Sequence, residues 1–198
     1  MKKILFVGIL FFFFASTVFA QVNIGVTAGL NFSDNLHKHA DGVASSNNTK
    51  TGFRAGIVAD YSINDRFSII PELLFSQLGS KGQNSYLRLN YLQLPVNIAY
   101  KFNVGSNSKL FAFAGPYIGY GLSAKLRTEG GDYLDVKFGS KKDDYNPFDF
   151  GVNVGTGFQY KKVFIKCQFN PGLYNLSNED NLSFKNINLA VSVGYYFK

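Results

Sequence analysis

The chain has 198 residues, a formal charge of +7, 17% aromatic residues, 20 glycines and one cysteine. That length fits a single domain, and one cysteine cannot close an internal disulfide, so a disulfide scaffold is excluded. The charge falls to about +5 once Lys2 and Lys3 are set aside from the +7, too weak for a nucleic-acid footprint and better matched to an anionic membrane surface.

Residues 1–20 read as a cleaved secretory signal peptide. Lys2 and Lys3 form a basic start, Ile4 to Phe14 is an apolar run, and Val18 and Ala20 stand where a signal peptidase reads, ahead of Gln21. The run is shorter than the roughly 20 residues of a spanning helix, which counts against an uncleaved anchor. No cysteine stands at the cleavage point, so lipid attachment there is not expected. Residues 21–198 remain as one domain, without a linker or a second apolar stretch long enough for a membrane helix.

From Val22 onward the chain alternates with period two, the mark of strands. Val22, Ile24, Val26, Ala28, Leu30 and Phe32 share one face of the first strand. The second presents Phe53 to Tyr61, the third Phe67 to Phe75, and the fourth Leu92 to Tyr100, each on alternate residues. The fifth runs Leu110 to Leu122. The sixth sets Phe148, Phe150, Val152, Val154, Thr156, Phe158 and Tyr160 against Asp149, Gly151, Asn153, Gly155, Gly157 and Gln159. The seventh presents Val163 to Leu173, with Cys167 on its apolar face, and the eighth ends the chain with Ile187 to Phe197.

The connections alternate in length. Short ones lie at 62–66, 103–109 and 161–162; long polar ones lie at 33–51, 79–90, 124–147 and 175–186. Short turns on one side and long loops on the other form the outer-membrane pattern. The expected fold is all-β: an eight-stranded antiparallel up-and-down transmembrane β-barrel, preceded by a cleaved signal peptide. Eight strands leave an interior only wide enough for side chains, which argues against a general diffusion porin.

Period two does not say which face meets lipid, and a soluble barrel would turn its apolar face inward. Three features favour outward. None of the apolar-face positions holds Asp, Glu, Lys or Arg, although 17% of the chain is charged; an Arg or Lys at the bilayer midplane costs roughly 2–4 kcal/mol. The opposite face carries Arg54, Asp60, Glu72, Asp149 and Lys166, with Gln93, Asn97, Asn153, Gln168, many glycines and the rings of Phe111, Phe113, Tyr117 and Tyr174. Buried charges must pair, so Arg54 and Lys166 are expected to meet carboxylates such as Glu72 or Asp149. Lastly, aromatic residues gather at both strand ends: Tyr61, Phe67, Tyr100, Tyr160, Tyr195 and Phe197 at one, Phe32, Phe53, Phe75, Tyr120 and Phe148 at the other.

Four segments carry a family resemblance: Pro71-Glu-Leu-Leu-Phe75, Tyr91-Leu-Gln-Leu-Pro-Val96, Gly115-Pro-Tyr-Ile-Gly119 and Gly194-Tyr-Tyr-Phe-Lys198. With Gln21 after the cleavage site, the chain resembles the PorT-like outer-membrane β-barrel family of Bacteroidetes-type bacteria. The resemblance implies an outer-membrane location and recognition by the barrel assembly machinery through a C-terminal aromatic, here Phe197 although Lys198 follows it. Some relatives serve protein secretion, so a secretion or surface protein partner is implied. A peptidoglycan-binding extension is not expected after Lys198.

Candidate chemistry is sparse. His37 and His39, with Asp34 and Asp41, share the first long loop, where a metal site or a lipid-modifying active site is conceivable in residue type, but a polar surface loop accounts for them better. Glu72 and Arg54 suit an interior network better than an ion path. Gly115, Gly119 and Gly121 lie in a strand with no helix to follow, so they form no phosphate loop, and no cofactor is expected. Lys141-Lys142-Asp143-Asp144 is a mixed-sign solvated run. Lys81, Arg88, Lys125 and Arg127 fall near the outer rim, where they are expected to contact lipopolysaccharide phosphates. The expected role is non-enzymatic: structural, surface-interacting or secretion-accessory. A narrow channel and a lipid-modifying enzyme are the alternatives.

Overall fold

The computed structural model describes residues 22–39, 44–46, 48–82, 85–128, 131, 133–136, 138–139, 145–177 and 182–198. The segment read as a signal peptide, Asp41 and the run 141–144 lie outside the described residues. So do the side chains of His37 and His39.

Ten strands form in chain order: β1 (Val22–His39), β2 (Ala44–Ser46), β3 (Asn48–Ser62), β4 (Phe67–Lys81), β5 (Ser85–Gly105), β6 (Ser108–Thr128), β7 (Tyr133–Val136), β8 (Phe148–Tyr160), β9 (Val163–Pro171) and β10 (Leu182–Tyr196). Eight make an antiparallel ring in the order β10-β9-β8-β6-β5-β4-β3-β1. The ring closes where β1 pairs β10, from Gly25↔Tyr196 to His39↔Leu182. Short β2 and β7 add to the outer ends of β1 and β6. Closure follows from the solvent: hydrocarbon offers no partner to a backbone N–H or C=O, so an open edge is untenable there.

The strands face as their alternation predicts. Ile57, Ile98, Val154 and Val193 are more than half exposed, whereas Arg54, Glu72, Asn97, Asp149 and Asn188 are buried. Thr156, the one polar residue on its outward face, donates its hydroxyl to the Phe111 carbonyl at 3.0 Å and so does not meet lipid unsatisfied. Cys167 is free and exposed on the same surface. The aromatic residues at the strand ends pair across neighbouring strands. Phe67 and Tyr100 meet edge-on at 5.0 Å at the short-turn end, and Tyr120 and Phe148 at 5.4 Å at the other.

The short turns are tight. At 63–66 the Asn64 side-chain oxygen accepts from the backbone N–H groups of Arg66 and Phe67. The Lys161-Lys162 turn carries Lys161 at φ 53°.

The long connections differ from expectation. Much of what reads as polar loop is strand: β4 runs to Lys81 and β5 begins at Ser85, so the segment 79–90 is largely a hairpin. Likewise β1 continues to His39, β6 to Thr128, and β10 starts at Leu182. Above the lipid the outward face is wetted and the apolar residues turn inward, as Leu78, Leu87 and Leu89 do, so the outward apolar alternation lapses while the backbone ladder continues.

Orientation is directly testable. With Cys167 replaced by Ser, a spin label at Val152 is expected to report lipid and one at Asn153 a confined interior. The reverse result would refute the architecture.

Candidate functional site

The lumen is the first place to look for function, and it is filled in three layers. At the short-turn end Val58, Ile70, Ala99, Phe111, Phe113, Phe164 and Tyr196 form an apolar plug. Its rings need room that a narrow barrel lacks, and glycines on facing strands supply it. A Cβ at Gly157 would lie 2.3 Å from the Phe111 ring, one at Gly155 2.5 Å from Phe113, and one at Gly194 2.1 Å from Phe164. The register places Phe111 opposite Gly157, Phe113 opposite Gly155 and Phe164 opposite Gly194, so each ring lies over a position without a side chain. The glycine-rich inner face of β8 thus complements the phenylalanine-rich inner face of β6.

The middle layer is polar. Lys166 Nζ lies 2.5 Å from Glu72 Oε1, and Asn97 donates to the same oxygen at 3.4 Å. The chain of amides continues through Asn153 to Asn97, Asn170 to Asn153, and Gln168 to Asn170. Nearer the outside, Asn186 donates to Asp149 at 2.9 Å and the Tyr117 hydroxyl at 3.4 Å. Asn188 donates to Asn31, which reaches the carbonyls of Phe53 and Gln77. Among the described residues the buried charges balance, with Arg54, Lys101 and Lys166 against Asp60, Glu72 and Asp149. A neutral interior is what a low-dielectric enclosure requires.

The outer layer is again apolar: Leu78, Leu87, Leu89, Tyr91, Ala124, Leu176 and Phe184, with Phe138 and Tyr145 packed against it. Tyr145 stacks on Phe184 at 5.2 Å. Between the inner plug and the Glu72–Lys166 pair remains a cavity of about 10 Å³, at the limit for one water molecule. A wider vestibule of about 350 Å³ opens at the short-turn mouth, lined by Asn23, Asn64, Asp65, Lys101 and Lys109.

The residues expected to form an interior network are all buried, and Lys166 meets Glu72 as expected, but the rest of the pairing takes another form. Arg54 makes no ion pair within 4 Å among the described residues, and its Nε and Nη1 find no hydrogen-bond partner there; Lys166, reaching across from β9, holds the near oxygen of Glu72 instead. Asp149 is met by a tyrosine and an asparagine rather than a cation. Asp60 pairs with Lys101 at 2.6 Å, a residue the sequence reading missed although it shares odd parity with Gln93 and Asn97. Tyr174, expected inside, is 45% exposed because β9 ends at Pro171 and the chain leaves the barrel wall.

The four rim cations lie on strands rather than loops: Lys81 ends β4, Arg88 belongs to β5, and Lys125 and Arg127 to β6. Arg88 stands directly opposite Lys125. Lys125 also lies 3.6 Å from the exposed Asp135 of β7, a surface pair of small energetic weight.

A closed ring of eight strands with an uncharged outer belt, two aromatic girdles and polar groups enclosed within is an integral outer-membrane β-barrel. The chain belongs to the family described as Outer membrane protein beta-barrel domain, which it matches over residues 17–178. Among solved structures it is similar to Neisserial surface protein A, with a TM-score of 0.50 and 18% identity over 88% of this chain and 97% of that one. It is also similar to Ail, the attachment invasion locus protein of Yersinia pestis, with a TM-score of 0.46 and 15% identity over 88% of this chain and 99% of that one. Comparison with curated proteins finds no match.

Removing one partner of the Glu72–Lys166 pair leaves an uncompensated buried charge. Lys166→Met is therefore expected to destabilise the refolded barrel by about 3–5 kcal/mol, read as a lower urea midpoint. Glu72→Gln added to it should recover part of the loss. Equal stability of wild type and Lys166→Met would show that the pair does not hold the lumen together.

Proposed function

We propose that this barrel is a non-conducting, non-enzymatic platform that presents the outer ends of its strands at the cell surface to a partner. The observation that carries the reading is the layered lumen. A conducting path needs continuous polar lining, and here the polar middle layer is stopped by packed rings on one side and by the Leu78–Phe184 cluster on the other. Strands such as β4 and β5 continue past the aromatic girdle to Lys81 and Ser85, which lifts structured backbone above the lipid where a partner can reach it. The refolded protein is expected to be electrically silent in planar bilayers. Stable single-channel steps would overturn the reading in favour of a narrow channel. An epitope inserted after Gly82 should be labelled on intact cells, and one inserted after Ser106 only in permeabilised ones.

A PorT-like, Bacteroidetes-type, secretion-accessory role is the narrower form of this proposal, and the resemblance over Pro71–Phe75 and Tyr91–Val96 supports it. In those two segments the inward residues include Glu72 of the buried ion pair and Gln93, so the motif carries interior packing as well as strand alternation. Loss of specific proteins from the culture supernatant on deleting the gene would favour this role. Replacing His37 and His39 together tests the enzymatic alternative: the cellular lipid species should stay unchanged, and an altered acylation pattern would overturn the non-enzymatic reading.

A further inference from the structure

The middle of the lumen is balanced in charge, but the short-turn end of the barrel is not. There the described residues place six cations, Arg66, Lys101, Lys109, Lys161, Lys162 and Lys198, against two carboxylates, Asp60 and Asp65. Short turns face the periplasm in outer-membrane barrels, so this excess is presented to that compartment. A field of that sign draws in anionic partners and turns cationic ones away.

Three of the six cations gather around one recess. Lys101, Lys109 and Lys198 line the vestibule of about 350 Å³ at the mouth, a volume within the range of ligand pockets. Strand alternation sends them there: Lys109 follows the inward parity of Phe111 and Phe113, Lys198 that of Tyr196, and Lys101 that of Asn97 and Ala99. Lys101 is buried and pairs with Asp60 at 2.6 Å. It stands opposite Phe111 of the apolar plug, so the ion pair floors the recess and the plug closes it beneath. The recess is a dead end, a receptacle rather than part of a passage. Among the described residues Lys109 and Lys198 enter no ion pair, which leaves two uncommitted charges above the floor.

The wall of the recess is firmly built. Asn64 holds the turn 62–66 by accepting from the Arg66 and Phe67 N–H groups, and the Lys101 N–H donates to the Arg66 carbonyl at 2.7 Å. That turn brings Ile63 and Asp65 to the lining. Ile63 is more than half exposed and stands apart from the plug, so an occupant meets an apolar side chain as well as the lysines.

We infer that this vestibule seats an acidic peptide segment of a periplasmic protein. Its carboxylates lie on Lys109 and Lys198, an apolar side chain rests against Ile63, and backbone N–H groups turn toward Asp65. Each carboxylate then accepts charge-assisted hydrogen bonds. A bare inorganic anion would use the lysines but meet Asp65 as a like charge and leave Ile63 idle. An anionic lipid is held off by place. The recess lies inside the ring of strands, whose outward aromatics, Tyr160 and Phe197 among them, mark the lipid boundary, and acyl chains would have to cross that wall. The assignment does not rest on what the surface-exposed strand ends present.

The test uses the chain from Gln21 onward, refolded in zwitterionic detergent, with fluorescence anisotropy as the readout. The probe is a labelled pentapeptide of four glutamates around one leucine; the comparisons are its glutamine counterpart, inorganic phosphate and phosphatidylglycerol nanodiscs. The wild type is expected to bind the glutamate peptide at least about tenfold more tightly than the glutamine one, the scale of lost hydrogen bonds to charged groups. Lys109→Gln with Lys198→Gln should erase that preference. Lys161→Gln with Lys162→Gln removes the same charge from the same end but outside the recess, where Lys161 lies over the Tyr160 ring and Lys162 donates to the Phe197 carbonyl. That pair should keep most of the preference. Asn23→Trp, which fills the recess, should weaken binding of the glutamate peptide. Heat-modifiable gel migration identifies variants that have folded. Equal affinity for the two peptides would overturn the assignment, and so would equal losses in the two folded lysine pairs, which would leave only a diffuse field. Full displacement by phosphate at the peptide's own concentration, or by phosphatidylglycerol, would overturn it too, by showing a site for a free anion or for lipid.

Discussion

Every other feature of this protein depends on the ladder between β1 and β10. Fifteen pairs, from Gly25↔Tyr196 to His39↔Leu182, join the first strand of the barrel to the last. In water an open sheet of this kind could leave its edges solvated; in hydrocarbon each unsatisfied backbone group costs several kcal/mol. Closure in turn fixes the space inside. Eight strands enclose a bore that side chains can fill completely, and this sequence fills it with rings at one end, amides and balanced charges in the middle, and leucines and rings at the other.

Filling such a bore demands complementarity between strands rather than hydrophobicity alone. The inner face of β6 carries Phe111, Phe113 and Tyr117, and the inner face of β8, its neighbour, carries Gly157, Gly155 and Gly151 in register. Rings from one strand cover the positions that the other leaves bare. The same logic sets Phe164 of β9 against Gly194 of β10. Outward the surface has no such demand, because lipid chains adapt to any apolar relief. Its constraints are the exclusion of charge and the placement of aromatic residues at the two boundaries.

The barrel and its orientation were legible in the sequence because both rest on period-two alternation, which lipid enforces over the spanning parts of all eight strands. Positions such as Val152 and Asn153 needed no tertiary information to be placed. The outer ends were not legible: beyond the girdle the outward face meets water and the apolar residues turn inward, as Leu78, Leu87 and Leu89 do, so Gln77 to Lys81 and Tyr86 to Asn90 lose the outward apolar pattern and resemble loop. Lys101 was readable by parity but stood at the end of its strand, where a lysine passes for the start of a turn. The choice of Lys166 over Arg54 as the close partner of Glu72 could not be read, because it is decided by reach across a lumen between strands far apart in the chain.

Glu72 and Lys166 are separated by 94 positions, the first on β4 and the second on β9. The two strands are not neighbours in the sheet, so the carboxylate meets its counter-charge only across the enclosed space. That meeting needs the sheet to curl until β9 stands opposite β4, which the closing ladder between β1 and β10 secures. The ion pair ties opposite walls of the cylinder together, and a flat sheet of the same strands would leave its two charges apart.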